Sequence, residues 1–297
     1  MKQQTFGVEI ELTGITRENA ARIIAKHFNT TSSYYGGTYQ EYRVKDNQGR
    51  TWKAMYDSSI RAALKNGGYA SDAYKCEIVT PICGWDDIVT IQEIVRELVK
   101  AGAIANNSCG IHVHVGAENQ NARTLRNLVN IMTSKEDLLF KALGVTTDRA
   151  ERWCQKNDSF FVTELNRRKP QTESGVETIW YGGRSRSYSH YDSSRYHALN
   201  LHSLWQGKGI EFRCFNGTTH AGKIKTYIQI SLAICNQAMT SSCASAKKTK
   251  STNEKYTFRT WLLRLGMIGK EFETARMWLL SNLEGDIAFK NGRPVVA

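Results

Sequence analysis

Proline is scarce in this 297-residue chain, with three in all, and no apolar run approaches the roughly 20 residues that a membrane-spanning helix needs. No partner membrane is expected. The first residues, MKQQTFGVEIEL, lack a basic segment followed by an apolar core, so no secretory signal is expected either. Seven cysteines stand at positions 76, 83, 109, 154, 214, 235 and 243, an odd number without a CxxC pair. That pattern argues against a disulfide framework and a zinc ribbon and fits structural thiols in a reducing compartment, with the cytosol as the expectation. Acids are also in deficit: 28 Asp and Glu against 40 Lys and Arg give a net charge of +12. The excess favours a polyanionic partner, whether nucleotide phosphates, an acidic substrate or nucleic acid. Most of it is diffuse, and only Lys247, Lys248 and Lys250 form a local cluster, in a segment that reads as a solvated loop.

What is present is ordinary globular composition, 41% hydrophobic and 23% charged, so a folded protein is expected. Residues 5–12 alternate apolar Phe6, Val8, Ile10 and Leu12 with Gly7, Glu9 and Glu11, the period of a strand. Thr16 is placed to cap a helix over 17–28. A Gly- and Tyr-rich stretch, SSYYGGTY, leads into polar strands and the DSSI segment at 57–60, and 75–80 reads as a strand stopped by Pro81. A helix is expected from Asp86 to about Ala101, with Gly102 just past its end. The segment 110–116, GIHVHVG, alternates again. Residues 123–143 have helical spacing, with a break expected near Ser134. The stretch 175–195, rich in Gly, Ser, Tyr and Arg, suits a mobile loop or lid. Strand pattern returns at 196–201 and 209–216, and helical pattern at 222–240 and 258–283. With no internal repeat and no long linker, the expected fold class is α+β. Residues 1–240 form the expected catalytic domain, and 241–297 a helical C-terminal extension packed on it.

Three of these strands share a feature. Glu9 and Glu11, His112 and His114, and Glu211 and Arg213 are i, i+2 pairs, so each pair projects from one face of its strand while apolar residues occupy the other. Two carboxylates on one strand face repel each other, and solvent or a bound cation relieves this. A hard divalent ion such as Mg²⁺ takes oxygen ligands beside substrate phosphates. The plainer alternative is an antiparallel sheet with a solvated face, and His-x-His by itself fits a structural pair or a transition-metal site equally well.

Taken together, FGVEIEL (6–12), DSSI (57–60), CEIVTP (76–81), CGIHVHVG (109–116), YHALNLHSL (196–204) and IEFRCFNGT (210–218) resemble, in order and rough spacing, the amidoligase family of carboxylate–amine ligases. That group includes glutamine synthetase and glutamate–cysteine ligase. The helical segment 258–286 resembles the C-terminal helices of bacterial and phage-type members. The resemblance implies a curved antiparallel sheet of glutamine-synthetase-like type, with flanking helices, that holds ATP and Mg²⁺ or Mn²⁺. It implies Glu9, Glu11, Glu77 and Glu211 as metal ligands, His112 or His114 on metal or phosphate, and Arg213 on the transferred phosphoryl group. Arg195 is a weaker match for a second phosphate-binding arginine, and Asn200 is placed to line the same site. Relatives often carry Gly after the Asp of a DGS-like turn, whereas Ser58 follows Asp57 here, which puts a substrate-binding role for Asp57 in doubt.

The implied reaction activates a carboxylate as an acyl phosphate, which an amine then attacks to form an amide or isopeptide bond. It needs in-line positioning and charge neutralisation, which metal ions and arginine supply. The loop at 182–196 is placed to exclude water from the intermediate. The expected substrates are small-molecule, peptide or protein carboxylates and amines, whose identity the sequence leaves open. The rival expectation is a basic nucleic-acid-binding module, or a ligase acting on a nucleic-acid-linked substrate. It rests on charge and on the aromatics at 34–42 and 180–191, and it leaves the acidic pair Glu9 and Glu11 unexplained. Cys76, Cys109 and Cys214 are expected to pack rather than react. Trp205, Trp261 and Trp278 are expected in the core or between helices, and His197 and His202 outside the immediate site.

Overall fold

The computed structural model of the chain describes residues 1–290. Its elements begin with β1 (Phe6–Leu12), α1 (Arg17–His27), β2 (Ser32–Gly36), β3 (Glu41–Lys45), β4 (Thr51–Met55) and β5 (Cys76–Val79). They continue with α2 (Asp87–Lys100), β6 (Gly110–Val115), α3 (Ala122–Leu143), α4 (Thr147–Arg152), α5 (Ser159–Arg168) and α6 (Glu173–Trp180). The remainder are β7 (Leu199–Asn200), α7 (His202–Trp205), β8 (Ile210–Asn216), α8 (Ala221–Thr240), α9 (Glu254–Arg264) and α10 (Glu273–Ser281). This is a mixed α and β fold whose strands follow the order β2-β3-β4-β5-β1-β6-β8-β7 in one open sheet. The pairings of β1 with β5, β5 with β4, β4 with β3, β3 with β2 and β7 with β8 are antiparallel.

Internal packing divides the chain into two compact units. The first comprises Lys2–His114 and Phe215–Ile228. Its strands are apolar on one face because their period of two sends Val8, Ile10 and Leu12 of β1, Ile78 of β5, and Trp52 and Ala54 of β4 the same way. All of them are buried, as are Ala20, Ala21 and Ile24 of α1 and Ile88, Ile91, Ile94 and Val95 of α2. Thr16 caps α1 as expected, its Oγ1 accepting the Asn19 N–H at 3.2 Å. Gly102 follows α2 at φ +105°. It does so in close company with Gly14, where a Cβ would stand 2.5 Å from the Gly102 carbonyl oxygen.

The second unit comprises Met1, Val115–Cys214 and Gln229–Ala297; positions 291–297, the end of the expected C-terminal extension, lie outside the described residues. Its centre is α3, which runs unbroken through Ser134. The expected break is absent because Ser134 turns its hydroxyl outward to donate to the Lys247 carbonyl at 2.8 Å. The helix thereby keeps its own backbone bonds. A polar seam continues along α3, where Asn127 Nδ2 donates to Ser241 O and Asn130 Nδ2 to Ala244 O. The seam holds residues 241–249 against α3. Lys247, Lys248 and Lys250 are exposed in a segment without helix or strand, as expected, and Lys248 also reaches the buried Glu136 at 2.5 Å.

The tail helix expected over 258–283 is two helices, α9 and α10, because Gly266 and Gly269 take φ +81° and +83° between them. The stretch expected as a loop from 175 begins as α6, capped by Thr172 Oγ1 on the Gly175 N–H. The strand expected over 196–201 shortens to Leu199–Asn200. Of the tryptophans, Trp261 is buried, while Trp205 and Trp278 are half-buried. His202 is buried, donating from Nε2 to the Ser189 carbonyl and accepting from the Tyr181 hydroxyl at Nδ1. Its pKa is lowered by that burial.

Candidate active site

On the other face of the first unit's strands, the same two-residue period collects the charged side chains. Glu11 of β1 stands directly opposite Glu77 of β5 in the antiparallel register, and Glu9 opposite Val79. The imidazole of His112, on β6, lies among the acids. Its Nδ1 is 2.9 Å from Glu9 Oε2, and its Nε2 is 3.8 Å from Glu11 Oε1. His114 Nε2 is 3.2 Å from Glu9 Oε1, so one carboxylate holds two imidazoles. The Gly110 N–H donates to Glu11 Oε2 at 2.6 Å, which fixes the second oxygen of that acid.

These groups are sheltered: Glu11 is 4% and Glu77 7% exposed. Burial pushes the Glu9 carboxyl up, but the charge of His114 and the hydrogen bonds from His112 and His114 outweigh it. Glu9 is therefore held well below the usual carboxylate range. The neighbouring thiol of Cys76, on the apolar face, is pushed up to about 12 by burial, which leaves it a packing group rather than a nucleophile.

Glu11, Glu77 and His112 each offer one ligand atom, and these atoms lie within 4.8 Å of one another. Two carboxylates this close in a buried place repel unless something positive lies between them. The donor chemistry therefore fits a divalent cation. Carboxylate oxygens suit Mg²⁺ and Mn²⁺, while an imidazole nitrogen is a ligand that Mg²⁺ rarely takes and transition ions accept.

The second unit carries the remaining expected residues. Glu211 and Arg213 leave β8 on one face, and Arg213 Nη1 is 2.5 Å from Glu211 Oε1. Asn200, opposite Glu211 in the β7–β8 register, donates to Glu211 Oε2 at 2.6 Å. Both residues of the ion pair are buried. Arg149, also buried, donates to the Arg213 carbonyl at 3.2 Å. It holds the backbone from which the Arg213 guanidinium hangs. Sequence reading missed Arg149, which lies in the least regular stretch and carries no motif.

Two further expected residues make local contacts. Arg195 places its guanidinium over the rings of Tyr191 and Tyr196 and donates to the His190 carbonyl. Asp57 closes its own turn, its Oδ1 accepting the Ser59 N–H at 2.6 Å, so the turn forms with Ser58 in place of glycine.

Buried carboxylates and a buried imidazole on adjacent strands, with a fit for a divalent ion, define a candidate metal-assisted enzyme. A family model described as "Putative amidoligase enzyme" matches residues 2–235, and the chain belongs to that family. Membership supports a ligase. No curated protein matches the chain. No helix among the described residues is long and apolar enough to cross a membrane.

Proposed function

We propose that the chain is an ATP-dependent carboxylate–amine ligase that forms an amide or isopeptide bond through an acyl phosphate, on a curved sheet of glutamine-synthetase-like type. The observation that carries this reading is the buried cluster of Glu11, Glu77 and His112, found in a chain of the amidoligase family. Bound Mg²⁺ or Mn²⁺ supplies charge neutralisation for phosphate oxygens and orients the transferred group.

In this reading Glu11, Glu77 and His112 hold the ion. Glu9 serves beside them and sets the orientation of both imidazoles through its two oxygens. Glu211 is a further ligand, steadied by Asn200. Arg213 carries the developing negative charge on the transferred phosphoryl group, aided by Arg195. Asp57 lies on the substrate side. The segment 182–196 excludes water from the acyl phosphate, whose hydrolysis would otherwise compete with attack by the amine. A reducing compartment, the cytosol, accords with seven cysteines that form no disulfide, six of them buried.

The test incubates the protein with ATP, Mg²⁺ and a panel of carboxylates and amines, following phosphate release and product mass. The expected result is phosphate release that needs both partners, with a product lighter by one water than the two together. Phosphate release indifferent to both partners, or none with any pair, overturns the reading.

A further inference from the structure

The face that bears the acidic cluster does not end at β5. The antiparallel registers place Glu9 opposite Val79, Val79 opposite Lys53, and Lys53 opposite Arg43, in one cross-strand row over β1, β5, β4 and β3. The neighbouring row runs from Glu11 to Glu77 to Met55. Directly opposite residues are about 5 Å apart and diagonal ones about 7–8 Å, so Lys53 stands within about 8 Å of Glu77 at the Cβ level. Arg43 is one strand further out.

The two cations are organised. Glu41, on the same face of β3, accepts from Arg43 Nε at 2.8 Å and Nη2 at 2.7 Å through one oxygen. Its other oxygen faces Lys53 Nζ at 3.5 Å. The Arg43 guanidinium lies 3.3 Å over the Tyr35 ring, which stops it from folding away. Two cations against one carboxylate leave a surplus positive charge. Both cationic side chains keep 34% of their surface open, so that charge is available to a ligand. Between them and the acids lie Val79 and Met55, both half-buried, an apolar floor flanked by an acidic end and a basic end.

We propose that this floor seats the carboxylate substrate of the ligase, and that Lys53 and Arg43 recognise a second carboxylate on it. The substrate class is then an acid with two carboxylates joined by a short aliphatic spacer. The reacting carboxylate lies at the Glu11–Glu77 end, the spacer over Val79 and Met55, and the remote carboxylate on Lys53 and Arg43. Glu41 and Tyr35 are positioning residues that keep Arg43 aimed. The proposal rests on the ligase reading for the direction of the substrate, but the basic end binds whether or not turnover follows.

The test is calorimetric titration of the full chain in Mg²⁺ buffer with glutarate and adipate, each against the monocarboxylate of equal length, valerate and caproate. ATP is titrated separately. Wild-type protein is expected to bind a dicarboxylate at least about tenfold more tightly than its monocarboxylate, the value of one partly exposed charge-assisted contact. Lys53→Met and Arg43→Met are expected to erase that preference, Lys53→Arg to keep it, and ATP affinity to stay unchanged in all three. Circular dichroism checks that each variant is folded. Equal binding of mono- and dicarboxylates by the wild type, no dicarboxylate binding at all, or a preference that survives in Lys53→Met overturns the proposal. So does a fall in ATP affinity with dicarboxylate binding unchanged, which makes the basic end a nucleotide contact. Absence of turnover with every acid and amine counts against the ligase reading and leaves the binding comparison standing.

Discussion

Carboxylates are buried in both units, and they are treated in opposite ways. In the second unit Glu136, on α3, receives Lys248 Nζ at 2.5 Å and the Asn157 N–H at 3.0 Å. Burial raises its pKa, and Lys248 and that backbone N–H pull it back. A protein cation meets the acid there, Lys248 reaching Asp137 at 3.5 Å as well, and these contacts pin the 241–249 segment to the helix. In the first unit Glu11 and Glu77 face each other across two strands, with a ligand atom of His112 within 4.8 Å of theirs. Like charges are gathered there. The first arrangement is one a protein uses to hold itself together, and the second has the donor set that could hold a metal ion.

The sharpest break between the two comes from neutralising one acid in each. Glu77→Gln is expected to lower ATP-dependent, amine-dependent phosphate release at least about a hundredfold, since it removes an oxygen ligand at the point of charge neutralisation. Its melting temperature should hold or rise, because a buried like-charge contact is relieved. Kinetics and thermal unfolding of the same preparation check both. Lys248→Met should do the reverse. It leaves Glu136 buried without its cation and is expected to cost about 2 kcal/mol in chemical unfolding, less than for a fully buried pair because Lys248 is part-exposed. Activity per folded molecule stays at the wild-type level.

A purely structural ion network within the first unit shows that the contrast belongs to the groups and not to the unit. Arg50 bridges Asp46 at 2.8 Å and Asp87 at 2.8 Å. For Asp87 the bond from Arg50 is the main cause of a lowered pKa. For Asp46 burial pushes upward, but the bonds from Arg50, Trp52 and two backbone N–H groups prevail. Both folded values lie below the unfolded value of about 3.9, so this stabilisation is fully present above about pH 4 and is lost as pH falls through the folded values. Thermal scans between about pH 7 and pH 2.5 should therefore show a falling melting temperature for wild type. Arg50→Met is expected to start lower at neutral pH and fall less. The smallest effect is expected from Thr16→Ala. Losing the cap on α1 costs about 1 kcal/mol in urea unfolding and leaves the acidic cluster intact.

Much of the first unit was legible because its signals are local. The i, i+2 alternation around Glu9 and Glu11 and around His112 and His114 decides which side chains share a face before any pairing is known. Thr16 and Gly102 mark helix ends by their own chemistry. Pairing itself is not local. Nothing in EYRVK or TWKAM announces that Arg43 and Lys53 will stand in the row of Glu9, since that depends on the registers of β3, β4 and β5 together. The errors in the second unit have the same origin. Ser134 weakens a helix in isolation, but its hydroxyl found the Lys247 carbonyl more than a hundred residues away. The apolar spacing across 258–283 is continuous, while Gly266 and Gly269 turn the backbone within it. For the candidate site, residue types and strand faces could be read from sequence; distances, burial and the support from Arg149 could not.

Whether Glu11, Glu77 and His112 grip a divalent cation is tested, without recourse to turnover, by Mn²⁺ binding followed by electron paramagnetic resonance. Wild-type protein should bind Mn²⁺ stoichiometrically and Mg²⁺ should compete it off, while a Glu11→Gln/Glu77→Gln variant that remains folded should leave the ion free in solution. Equal binding by the wild type and the double variant, or free Mn²⁺ in both, would contradict it.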